Sequence, residues 1–90
     1  MTINQAILKY RLPNPTTPED LECRWSKVLN YGDKVLLAGF YHDGENGYYG
    51  AVYEHLDGDK TCEGALGLKA VSENTFFDDG HAIRWAMGQA

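Results

Sequence analysis

The sequence predicts a single α+β domain spanning residues 1–90, with an antiparallel sheet of three to four strands packed against one amphipathic helix and a short C-terminal helix. Three observations lead there. Residues 34–56, KVLLAGFYHDGENGYYGAVYEHL, contain two short runs of apolar and aromatic residues on either side of an acidic, glycine-rich tip, which is the pattern of a β-hairpin. Residues 18–30 open with a helix-start signal and carry apolar side chains at helical spacing. Residues 62–70 alternate Cys62, Gly64, Leu66, Leu68 and Ala70 with Thr61, Glu63, Ala65, Gly67 and Lys69, the period of a third strand.

Taken in order, residues 3–12 alternate weakly (Ile3, Ala6, Leu8, Tyr10, Leu12) and read as an edge strand. Pro13-Asn14-Pro15 ends it, because each proline restricts itself and its predecessor. Thr17 is then a good N-cap, Pro18 suits the first helical position, and Glu19 and Asp20 complement the helix dipole. Leu21, Trp25, Val28 and Leu29 form one stripe, and Gly32 offers a C-terminal stop, so a helix is expected over residues 18–30.

Residues 34–42 follow as a strand and 48–56 as its partner. Two registers compete. A two-residue Asn46-Gly47 turn pairs Tyr41 with Val52, Phe40 with Tyr53 and Leu37 with Leu56, whereas a loop over residues 43–47 pairs His42 with Tyr48 and Tyr41 with Tyr49. The first is preferred because Asn-Gly is the stronger hairpin signal. A second turn is expected at residues 56–59, and the glycines of the third strand suggest a bulge or an edge position. Residues 72–77 connect to a terminal helix capped by Asp78 or Asp79, with Ala82, Ile83, Ala86 and Met87 inward and Gly88 at its end. That helix is expected at a sheet edge or in self-association.

The apolar fraction of 43% and charged fraction of 23% are ordinary for a folded chain and argue against disorder. No apolar run approaches the ~18 residues of a membrane span. Residues 1–10 lack the basic and apolar regions of a signal peptide, so the expected compartment is the cytoplasm, with Cys23 and Cys62 as reduced thiols. The net charge of −5 is unevenly spread. Residues 1–34 carry five basic and four acidic side chains, and residues 43–79 carry two basic and nine acidic. The acidic half disfavours nucleic acid and anionic membranes as direct partners and favours a protein with a basic surface.

Motifs with specific chemistry are missing from the sequence. His42, His55 and His81 with Cys23 and Cys62 show no metal-ligand spacing, and a metal shared by His42 and His55 is outweighed by two imidazoles on a partly solvated sheet face. Cys62 with His81 and Asp78 or Asp79 lacks the local setting of a nucleophile and reads as a small core residue. Asp43-Gly44-Glu45 and Asp57-Gly58-Asp59 lack the calcium-loop pattern and read as solvated turns. Glu54 and Glu63 have too small a chain around them for a sugar cleft. The glycines match no phosphate loop. No cofactor, metal or catalytic residue is expected.

What remains is an acidic, tyrosine-bearing surface. Asp43, Glu45, Tyr48, Tyr49, Asp57 and Asp59 are the expected protein contacts, since tyrosine is enriched at interfaces. In size, charge and lack of catalytic signature the chain resembles the small inhibitor proteins of phages and mobile elements, or immunity proteins. The resemblance is one of profile and implies a non-enzymatic inhibitor or modulator that occludes a basic, nucleic-acid-binding surface of a partner. Two other readings compete. One is a small-molecule or metal-binding domain or minimal enzyme using His42, His55 or Cys62. The other is a structural subunit that self-associates through Phe76, Phe77, Trp85 and Met87.

Overall fold

A computed structural model describes residues 2–25, 27–41, 47–56 and 65–90. The chain runs α1 (Ile3–Tyr10), α2 (Pro18–Arg24), β1 (Lys27–Tyr31), β2 (Lys34–Phe40), β3 (Tyr48–His55), β4 (Leu66–Val71) and α3 (Asp79–Gln89). The four strands form one antiparallel sheet in the order β1-β2-β3-β4, which gives the expected α+β class.

Because side chains alternate across a sheet, each central strand feeds two cores. Val35, Leu37, Tyr49, Ala51 and Tyr53 face α1 and α2, joined by Ala6, Tyr10, Leu12 and Leu21. Leu36, Ala38 and Val52 face the other way and bury Ala82, Ile83 and Ala86 of α3. The terminal helix therefore covers the second face of the sheet instead of sitting at an edge. Met87, expected inward, is 40% exposed, and the helix continues past Gly88 to Gln89.

Residues 3–10 are a helix and not the expected edge strand. Thr2 accepts a hydrogen bond from the Gln5 backbone at 3.1 Å, and the Gln5 side chain accepts from the Thr2 backbone at 2.8 Å, a complete capping box. Ile3, Ala6, Ile7 and Tyr10 then share the helix face that packs on the sheet. The weak alternation lost because this helical stripe buries more apolar surface.

The helix expected over residues 18–30 stops at Arg24. Thr17 caps it and Pro18 opens it as expected, but Trp25 is already extended and residues 27–31 form β1. Gly32 is the first residue of a two-residue hairpin turn and not a helix terminator. Tyr31 pairs with Lys34, and Gly32 has φ +62°, which glycine adopts at little cost. Val28 thereby reaches the first core, while Leu29 remains 43% exposed.

The β2–β3 register matches neither expected pairing. Phe40 pairs with Tyr48, Leu36 with Val52 and Leu37 with Ala51. Glycines at the points of closest approach explain it. Gly39 lies against Tyr49, whose hydroxyl would be 2.3 Å from a Cβ at residue 39, and Gly50 pairs with Ala38 where α3 presses on the sheet. The expected hairpin tip at residues 42–46, the expected turn at 57–59 and the expected start of the third strand at 61–64 lie outside the described residues. β4 is an edge strand with a register shift at Val52/Tyr53, as its glycines suggested. Its outer edge is covered by the segment before α2: Thr16 and Leu66 exchange two backbone hydrogen bonds, and Asn14 Oδ1 accepts from the Leu68 backbone at 3.0 Å.

Candidate functional site

The sequence pointed to tyrosines, and the structure divides them. Tyr49 is 3% exposed and faces the core. Its ring stacks on Tyr10 with centroids 4.1 Å apart, and its hydroxyl accepts a hydrogen bond from Trp25 Nε1 at 2.9 Å. Tyr53 donates to the Pro13 carbonyl at 2.8 Å and Tyr10 to the Ser72 carbonyl at 3.2 Å. These hydroxyls tie the loop before α2, the end of α2 and the residue after β4 to the layered core. Burial pushes all three phenols above their ordinary ionisation range, Tyr53 furthest.

Tyr48 is half-buried at the start of β3 and exchanges backbone hydrogen bonds with Phe76. Phe76 and Trp85 pack on the second core, whereas Phe77 is exposed. Asp43, Glu45, Asp57 and Asp59, along with His42 and Cys62, lie outside the described residues. His55 is on β3, and its Nδ1 is buried with no hydrogen-bond partner among the described residues. Cys23 is exposed on α2. Among the described residues no three His, Cys, Asp or Glu side chains are grouped to hold a metal ion.

A groove lies where the C-terminal end of β2 meets three other elements. Arg24 and Trp25 come from the end of α2, Lys27 from β1, Ala38, Gly39 and Phe40 from β2, Tyr48 from β3 and Asp79 from the first turn of α3. Its volume is about 330 Å³. The Arg24 guanidinium lies 5.1 Å from the Trp25 ring, an arrangement that holds the charge beside an aromatic plane. Arg24 also approaches Asp20 at 3.9 Å, with both side chains about half exposed. Phe40 and Tyr48 meet edge to face at 5.2 Å. A Cβ on Gly47 would stand 2.5 Å from the Phe40 ring, so the glycine lets that ring lie close over the backbone.

At the N-terminus of α3, Asp79 lines the groove and Asp78 is the cap. Asp78 caps the helix through the His81 backbone at 2.8 Å and approaches the His81 ring at 2.7 Å. These bonds, the backbone one foremost, hold the Asp78 carboxyl below its ordinary range. Sequence reasoning missed the groove. Its only local trace is Arg24-Trp25-Ser26-Lys27, two cations bracketing an aromatic, and Phe40 and Asp79 join them only through the fold.

These features define a small α+β domain with a sheet between helices and a cation-lined aromatic groove at one end. The chain belongs to the family described as nucleotide modification associated domain 4, whose model matches residues 12–90. No curated protein and no solved structure matches the chain. No described helix is long and apolar enough to cross a membrane.

Proposed function

We propose that this domain is a non-enzymatic binding module of a nucleotide-modification system, and that it acts as an inhibitor or modulator by docking on a basic surface of a partner protein. Family membership supports the setting. One structural observation carries the docking surface. Lys27, Leu29 and Tyr31 of β1 lie on the α3 side of the sheet, as does Phe40 of β2, while α3 itself packs chiefly on β3 and β2. Leu29, Tyr31 and Phe40 are therefore left 43%, 42% and 52% exposed along one strip. The acidic stretch from Asp43 to Glu63 adjoins this strip in sequence and supplies the charge that would steer it toward a basic partner. Tyr10, Tyr49 and Tyr53 are engaged within the core, which leaves the binding role to the exposed strip.

The test is affinity capture from native lysate at low and high salt, followed by measurement of the captured nucleotide-modifying protein against purified variants. Affinity should fall with salt, and both Asp57→Lys/Asp59→Lys and Leu29→Glu/Tyr31→Glu should weaken binding. Affinity that is unchanged by salt and by both double variants would sink the reading.

A further inference from the structure

We propose that the groove between the end of α2, the β2–β3 strand ends and α3 binds a free mononucleotide, with the base against Phe40 and Tyr48 and the phosphate between Arg24 and Lys27. The chemistry of the lining points to this occupant. Arg24 and Lys27 supply two cations in a chain whose net charge is −5, and neither is buried. A phosphate monoester carries up to two negative charges, and a guanidinium accommodates it through paired N–H donors. Phe40 and Tyr48 offer aromatic surface beside those charges, and base–aromatic stacking tolerates any base because each has a π-face. Asp79 adds an acceptor at the α3 side for the N–H donors of a base edge. The volume of about 330 Å³ falls at the lower end of small-molecule sites, which run roughly 300–1,000 Å³.

The groove is also held in shape. Trp25 is fixed by its bond to the buried Tyr49 hydroxyl, Tyr48 by its two backbone bonds to Phe76, and Phe40 by close approach to Gly47. Ala38 lines the groove as a small side chain where a larger one would fill the space. A monomer fits this lining better than a polymer. Arg24 and Lys27 outnumber the Asp79 carboxylate in the lining and can hold one phosphate, but a strand would bring further phosphates against an acidic protein. The inference does not depend on the protein partner proposed above, and it is tested on the isolated chain.

The experiment is calorimetric titration with nucleoside 5′-monophosphates, with the matching nucleosides, inorganic phosphate and a single-stranded oligonucleotide as separate arms. Mononucleotides should bind at millimolar concentration or below, and phosphate alone and nucleoside alone at least about tenfold more weakly, because each lacks half of the contacts. Arg24→Glu with Lys27→Glu should weaken mononucleotide binding by about tenfold or more, and Phe40→Ser should do so independently. These side chains are exposed, and a melting curve verifies that each variant is folded. Equal binding of phosphate and mononucleotide, or unaltered binding by folded variants, would overturn the proposal. Tighter binding of the oligonucleotide than of any monomer would overturn its commitment to a free mononucleotide.

Discussion

Gly50 lies directly beneath Ala82: a Cβ built on the glycine would stand 2.6 Å from the Ala82 carbonyl oxygen and 2.9 Å from the Trp85 ring. The obstacle is backbone, so relief requires α3 to lift from the sheet. Gly50→Ala should destabilise the fold by about 2 kcal/mol, in the range of overpacked cores. Urea unfolding followed by tryptophan fluorescence would measure it. An unchanged midpoint would mean that α3 does not rest on β3 as described.

Tyr53 anchors the loop before α2 to the central sheet through its bond to the Pro13 carbonyl. Tyr53→Phe keeps the ring and its packing but leaves that carbonyl without this donor. The expected cost is about 1–2 kcal/mol, read as a shift in the denaturant midpoint with little change in its slope.

Alkaline pH should unfold the protein through its buried phenols. Tyr10, Tyr49 and Tyr53 are raised above the usual value of 10.0, with burial the leading cause. A raised value in the fold means that the unfolded chain ionises first. Stability should be intact below pH about 10 and lost as pH climbs beyond it. Circular dichroism should fall together with the appearance of tyrosinate absorbance from these residues. Full ionisation of all six tyrosines in a native protein would contradict the burial.

The opposite limb belongs to Asp78. Its carboxyl is depressed below its usual value by the His81 backbone N–H and then by the His81 ring. The stability it contributes is present above the unfolded value, near 3.8, and is lost as pH falls through the lower folded value. Asp78→Asn keeps a capping acceptor without the charge. The variant should melt below the parent at neutral pH, and the gap should close in strong acid. A gap that persists unchanged in acid would separate the cap from its charge.

Local signals accounted for the elements that needed no distant partner. Thr17-Pro18 and Asp78 mark the two helix starts they were expected to mark. The apolar runs that became β2 and β3 are too short and too continuous to serve as surface helices, and both are buried. In residues 3–12 and 24–31, by contrast, short segments fit two periodicities equally well, and burial against the sheet decided between them. The candidate site followed the same division. Tyr49 looked like a surface contact because tyrosine suits both settings, and only its stack on Tyr10 and bond to Trp25 place it inside.

The α+β class, the central hairpin strands, the caps of α2 and α3 and the uneven charge are legible in the chain alone, because each is a property of neighbouring residues. Although the Thr2–Gln5 capping box is a local trace of α1, only packing against distant segments made residues 27–31 a strand and set the β2–β3 register through Gly39 and Gly50. It also brought Arg24, Lys27, Phe40, Tyr48 and Asp79 around one groove. Those outcomes depend on which distant surfaces fit together, and steric fit between remote segments leaves no local pattern in the chain.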